Sequence, residues 1–127
     1  MQYYGIHPRS NKNIIKIARR VRKKMRHENS DFPVGYCWDA SRELFGELCS
    51  QGIKSELVKG CFWCVRDSKR IRGDFNTHWF IKIKNKFLDI TGDQFNQRLK
   101  NLEQSLRVNQ VVFDYVSYLD RYEVSRH

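Results

Sequence analysis

"HWFIKIKNKFLDITGDQF", residues 78–95, alternates, turns at "KNK" and alternates again. Period-two patterning on both sides of a polar break reads as a β-hairpin. If Lys84-Asn85 is a two-residue turn, Ile83 pairs with Lys86, Phe80 with Asp89 and His78 with Thr91. Opposed residues share a face, so His78 and Asp89 become diagonal neighbours on one face, roughly 7 Å apart at the backbone. A three-residue loop would separate them, because one step of register turns every side chain over. The two-residue turn also gathers Trp79, Ile81, Ile83, Leu88 and Ile90 on the opposite face as one apolar set. Asn85 suits the left-handed conformation that such a turn needs.

A second stretch, "GYCWDASRELFGELCSQG" (35–52), supplies a partner for the histidine. Ala40, Ser41, Leu44 and Leu48 repeat at helical spacing, Cys37 heads the same stripe, and Gly52 is a stop signal. The spacing predicts a helix from about Tyr36 to Ser50 with Cys37 in its first turn. Unpaired N–H groups and the helix dipole there favour a thiolate, the nucleophilic form. Cys49 sits at the opposite end, where the dipole works against it. Alone, a cysteine is more often core than nucleophile, and a lone histidine more often structural. His7 and His127 lie near the ends of the sequence and His27 closes an earlier helix, so only His78 opens a core strand. Together, Cys37, His78 and Asp89 read as nucleophile, base and orienter.

Around this centre, 127 residues suit one domain, with a basic N-terminal arm and helix over 1–28, a core over 35–95 and a C-terminal helix and strand over 96–127. From about Lys12 to His27, Ile14, Ile17, Ala18, Val21 and Met25 form a helical stripe, and eight Lys or Arg residues occupy the other faces. "ENSDFPVG" (28–35) has loop chemistry. A strand is expected over Ser55–Val65, a polar basic loop over "RDSKRIRGDFN" (66–76), a helix over 97–107 and a strand over 109–119. This order predicts an α+β domain with an antiparallel sheet.

A 40% hydrophobic composition with eight Phe, six Tyr and three Trp argues for a packed core and against disorder. The net charge of +10 implies attraction to an acidic partner: nucleic acid, membrane surface or acidic polypeptide. No run approaches the length of a membrane span, and "MQYYGIHPRSNK" lacks the apolar core of a signal peptide, so the expected compartment is the cytoplasm. A secretion route without a cleaved signal leaves no mark of this kind. The four cysteines read as thiols. Cys61 and Cys64 supply two of the four ligands zinc needs and lie in a strand rather than at a helix start, so neither a metal nor a redox pair is expected. One of the two belongs in the core and the other at the surface. "TGDQF" lacks the glycines and Lys of a phosphate loop and is expected to end the strand, with Phe95 returning to the core.

The ordered set "C-x-x-A-S-x-x-L-x-x-x-L-x-x-x-G-I", "L-V-K-G" and "H-W-F-I-K-I-K-N-K-F-L-D-I-T-x-x-Q-F", over about residues 35–95, resembles the transglutaminase-like superfamily of papain-like cysteine enzymes. The resemblance implies a papain-like transglutaminase core, with the nucleophile helix packed on a small antiparallel sheet. It also implies a thiol acyl-transfer mechanism without metal or organic cofactor. Cys37 would attack a peptide or glutamine carboxamide, His78 would shuttle the proton and Asp89 would orient His78. Trp79-Phe80 stands where the family often has Ala and an aromatic, and Ile90-Thr91 where Pro-Thr is common. The acceptor is left open, since relatives include peptidases, deamidases, cross-linking transferases, proteases that trim leader peptides and members without catalysis. The family's second oxyanion donor is an upstream Gln or a Trp. Here no Trp precedes Cys37 and the only upstream Gln is Gln2, leaving Gln94 and Asn29 as amides to examine. The expected partner is a polypeptide substrate, with acidic character suggested by the charge. The alternatives are an idle interaction protein on the same fold, or a nucleic-acid module using the 12–26 helix and "KRIR" as phosphate contacts.

Overall fold

Ile14, Ile17, Ala18, Val21 and Met25, joined by Ile15, bury one side of the first helix, α1 (Lys12–Glu28). The computed structural model describes residues 12–66, 69–72, 77–97, 111–117 and 121–125, with backbone alone at 64–66 and 69–72. The expected arm over 1–10 and all but Gln97 of the expected 97–107 helix lie outside the described residues.

Helix α1 packs antiparallel to α2 (Cys37–Ser50), which buries Ala40, Ser41, Leu44 and Leu48. Two exposed ion pairs clasp the helices, Arg20 to Glu47 at 3.0 Å and Lys24 to Glu43 at 2.5 Å. In solvent such pairs set orientation more than stability. One of the eight cations expected on the outer faces is internal. Arg22 is buried, donates to the Ile90 carbonyl and holds Asp93 at 2.5 Å. It is tolerated there because a carboxylate and a carbonyl satisfy the planar guanidinium. Gly52 ends α2 with φ 73, its N–H donating to the Cys49 carbonyl while Ile53 N–H donates to Leu48.

Six strands form one sheet: β1 (Glu56–Arg66), β2 (Lys69–Arg72), β3 (His78–Ile83), β4 (Lys86–Asp89), β5 (Asp114–Ser117) and β6 (Tyr122–Val124). Their order is β2-β1-β3-β4-β5, with β6 also pairing β1, and every pairing is antiparallel. The class is α+β.

The hairpin register is the expected one, with Ile83 opposite Lys86 and Ile81 opposite Leu88. The left-handed residue of its turn, however, is Lys84 (φ 55) rather than Asn85. "KRIR" is not a loop. It pairs with the end of β1, Arg72 opposite Trp63. Edge strands accept lysine and arginine more readily than central ones, so basic composition hid the pairing. The strand β6 was not expected at all.

Apolar side chains pack on both faces of the sheet. Ile81, Ile83, Leu88, Ile90, Phe113 and Tyr115 meet the helices. Phe62, Phe80, Phe87, Phe95, Val111 and Tyr122 fill the other side. Trp79 leaves the expected apolar set and lies half-buried, edge-on to Trp38 with ring centroids 4.6 Å apart. Phe95 does return to the core, from a 3-10 turn over Gly92–Phe95. Gly60 allows β6 to dock. A Cβ at that position would lie 1.9 Å from the Glu123 carbonyl oxygen, so only glycine permits this approach. Among the described residues no helix is long and apolar enough to cross a membrane.

Candidate active site

Cys37 is the first residue of α2, and no side chain caps the helix at Tyr36. The N–H groups of its first turn are therefore left to the thiol and to whatever approaches it. One turn on, Ser41 Oγ donates to the Trp79 carbonyl at 3.0 Å, fastening this end of α2 to the residue after His78. Helix start and strand start thus meet, and the Cys37 thiol and the His78 ring interact across the junction.

The other side of the ring faces Asp89. His78 Nε2 lies 2.6 Å from Asp89 Oδ2, with both side chains closed to solvent. Asp89 is itself held from three directions. Its Oδ1 accepts from the Thr91 N–H and hydroxyl, each at 3.0 Å, and its Oδ2 also accepts from Tyr122 Oη at 2.8 Å. Phe80, Phe95 and Tyr122 surround the imidazole, with ring centroids at 5.7, 4.9 and 6.4 Å, and fix its plane. The structure therefore brings Cys37, His78 and Asp89 together, with His78 hydrogen-bonded to Asp89 and Cys37 interacting with the ring.

Burial opposes charge at all three positions, and the partners overcome it. Burial pushes the Cys37 thiol up, yet hydrogen bonds from His78 and the Trp79 backbone, with the imidazolium charge, bring it below its usual value. For His78, burial acts to lower the pKa, but the Asp89 charge and hydrogen bond, with Cys37, raise it to about 10. Burial likewise raises Asp89, and His78, Tyr122 and Thr91 together draw it below the ordinary carboxylate range. The shifts of Cys37 and His78 thus run toward thiolate and imidazolium, the charge state a cysteine nucleophile requires.

Both amides considered for the oxyanion are hydrogen-bonded elsewhere. Asn29 Nδ2 donates to the Met25 carbonyl at 2.9 Å and Gln94 Nε2 to Thr91 Oγ1 at 3.1 Å. Cys49 is exposed and Cys61 is buried. The side chain of Cys64 lies outside the described residues. A cleft of about 740 Å³, lined by Ile53, Lys54, Lys82, Lys84 and Tyr115 among others, opens at the hairpin end of the sheet and shares no residue with the chain of Cys37, His78 and Asp89.

Two buried groups escaped the sequence reading. Tyr122 follows no signal beyond an aromatic in a short polar tail, and Asp114 sits within an expected strand without any mark of its role. The cationic face was visible, but its order was not. Lys12, Lys16, Arg19, Lys23 and Arg26 follow i, i+4, i+7, i+11, i+14 spacing and are all exposed, forming one line along α1. Among the described residues the first four have no acidic partner, and Arg26 reaches Asp93 at 4.0 Å. Beside the line is a shallow cleft of about 270 Å³ bordered by the exposed Val112.

Comparison of the chain with protein-family models, curated proteins and solved structures finds no match.

Proposed function

We propose that this protein is a thiol-dependent acyl-transfer enzyme of the transglutaminase-like, papain-like type, acting on a peptide or glutamine carboxamide. The observation that carries the reading is a cysteine at a helix start that interacts with a His78 ring itself hydrogen-bonded to Asp89. Each member's pKa is shifted toward the charge its role requires.

The Cys37 thiolate attacks the carbonyl carbon, and the electron pair of the C=O bond moves to oxygen. First-turn N–H groups of α2, led by that of Cys37, donate to this oxyanion. As the tetrahedral species collapses, the C–N bond breaks and the His78 imidazolium gives its proton to the departing amine or ammonia, leaving a thioester. Water or an acceptor amine then attacks the thioester and gives a proton to His78. The C–S bond breaks and the thiolate–imidazolium pair is restored. Asp89 keeps the ring in one orientation throughout.

The line of five cations on α1 favours an acidic polypeptide as the substrate, since the adjoining cleft is partly apolar. A phosphate backbone would make less use of Val112 and Phe113.

The test is mass spectrometry after brief exposure to iodoacetamide at pH 6. Labelling at Cys37 ahead of the other three thiols supports the enzyme. Labelling at equal rates would leave an interaction protein with a structural cysteine.

A further inference from the structure

Asp89 and Asp114 face each other across β4 and β5 as cross-strand partners, and both are fully buried. Between them stands one hydroxyl. Tyr122 Oη lies 2.8 Å from Asp89 Oδ2 and 2.9 Å from Asp114 Oδ2. A phenol has one proton and cannot donate to two carboxylates at once. Both contacts are hydrogen bonds only if one acid brings a proton of its own. Asp89 is not that acid, because His78 and two donors of Thr91 already address it as an acceptor.

We infer that Tyr122 and Asp114 are positioning residues of the same site: Asp114 carries a proton, donates it to Tyr122 Oη, and so lets Tyr122 commit its own proton to Asp89. The inference rests on the thiol-enzyme reading for its catalytic meaning, though not for its geometry. It deepens that reading by adding a control on how firmly the base is held.

The surroundings of Asp114 point the same way. The groups facing it are Tyr122, Asp89, His78 and Arg121. Arg121 Nη1 is 3.5 Å from Asp114 Oδ2, longer than a charge-assisted hydrogen bond. Asp114 Oδ1 accepts no hydrogen bond among the described residues, unlike either oxygen of Asp89. Burial, only partly offset by Arg121, raises the Asp114 carboxyl to about 6. The phenol of Tyr122, pushed well above its usual value by burial and both acids, stays a donor.

The junction is also closely built. A Cβ at Gly92 would stand 3.2 Å from Tyr122 Oη and 3.4 Å from Asp89 Oδ2, so the absence of a side chain there leaves room for the contact.

When Asp114 loses its proton, two carboxylates compete for one hydroxyl proton, and the hold on Asp89 and His78 changes. A group remote from the sulfur thereby reports on pH to the catalytic base.

The experiment is an NMR titration of the whole chain from pH 4.5 to 8.5, following the Asp114 side-chain carboxyl carbon and the His78 ring. Expected is one shared inflection near pH 6, absent from the His78 ring in Asp114→Asn, whose amide can still donate to Tyr122. Tyr122→Phe should remove the inflection from His78 while leaving it on Asp114, because the link is cut. An Asp114 carboxyl that is ionised throughout this range would overturn the inference, without recourse to any variant. So would a His78 inflection that survives in Asp114→Asn. Iodoacetamide labelling of the same samples separates the two ideas: unselective labelling removes the enzyme reading, while the shared inflection stands or falls independently.

Discussion

His78 Nε2 and Asp89 Oδ2 stand 2.6 Å apart in a site closed to water, so ring and carboxylate behave as one unit. Its first consequence is chemical. His78→Ala removes the cation and hydrogen bond that favour the Cys37 thiolate. Alkylation of Cys37 at pH 6 should slow by about tenfold for each unit its pKa recovers. Rates at Cys49 should not change, and a mass-spectrometric time course compares both in one sample.

The same pair shapes stability against pH. Asp89 has a lowered pKa when folded, so its contribution is present above the unfolded value of about 4 and disappears as pH falls through the folded one. His78 is raised to about 10, so its contribution is complete below about 6.5 and fades as pH rises through about 10. Urea midpoints should therefore fall at both extremes. Asp89→Asn should flatten the acid side, and His78→Ala the alkaline side.

Two glycines should respond in opposite directions. At Gly60 an added Cβ meets the backbone of Glu123, and overpacking of this kind costs about 1–3 kcal/mol. Gly60→Ala should also displace β6, carrying Tyr122 away from Asp89. Gly46 lies within α2 with open space around it, so Gly46→Ala should stabilise by about 0.5–1 kcal/mol. Thermal melts of the two variants test both signs.

Arginines on α1 should not behave alike. Arg22→Ala strips a nearly buried ion pair of its cation and should cost about 3 kcal/mol. Replacing Lys12, Lys16, Arg19 and Lys23 by Gln should change stability by less than about 0.5 kcal/mol each, since they are exposed. That fourfold variant should lose affinity for a short poly-glutamate peptide. Sub-micromolar binding of random duplex at near-physiological salt, with a steep salt slope, would instead favour the nucleic-acid reading.

Local pattern carried the sequence reading a long way where the signal is periodic. Alternation in 78–95 determined a two-residue turn and hence put His78 and Asp89 on one face, although it chose Asn85 over Lys84 for the left-handed position. The stripe of α2 put Cys37 at a helix start. What period and turn chemistry do not encode is which elements meet. The union of the α2 start with the β3 start depends on Ser41 reaching the Trp79 carbonyl, a contact across 38 positions.

The sequence by itself determined the hairpin, the helices α1 and α2 and the placing of His78 and Asp89 on one face, because each follows from spacing within a few turns of chain. Tertiary structure alone decided that Arg22 is internal, that "KRIR" is an edge strand, and that Tyr122 and Asp114 stand behind Asp89. The physical reason is distance along the chain. Asp89 and Tyr122 are 33 positions apart, joined only because Gly60 lets β6 close on β1, and no local propensity records so long a closure.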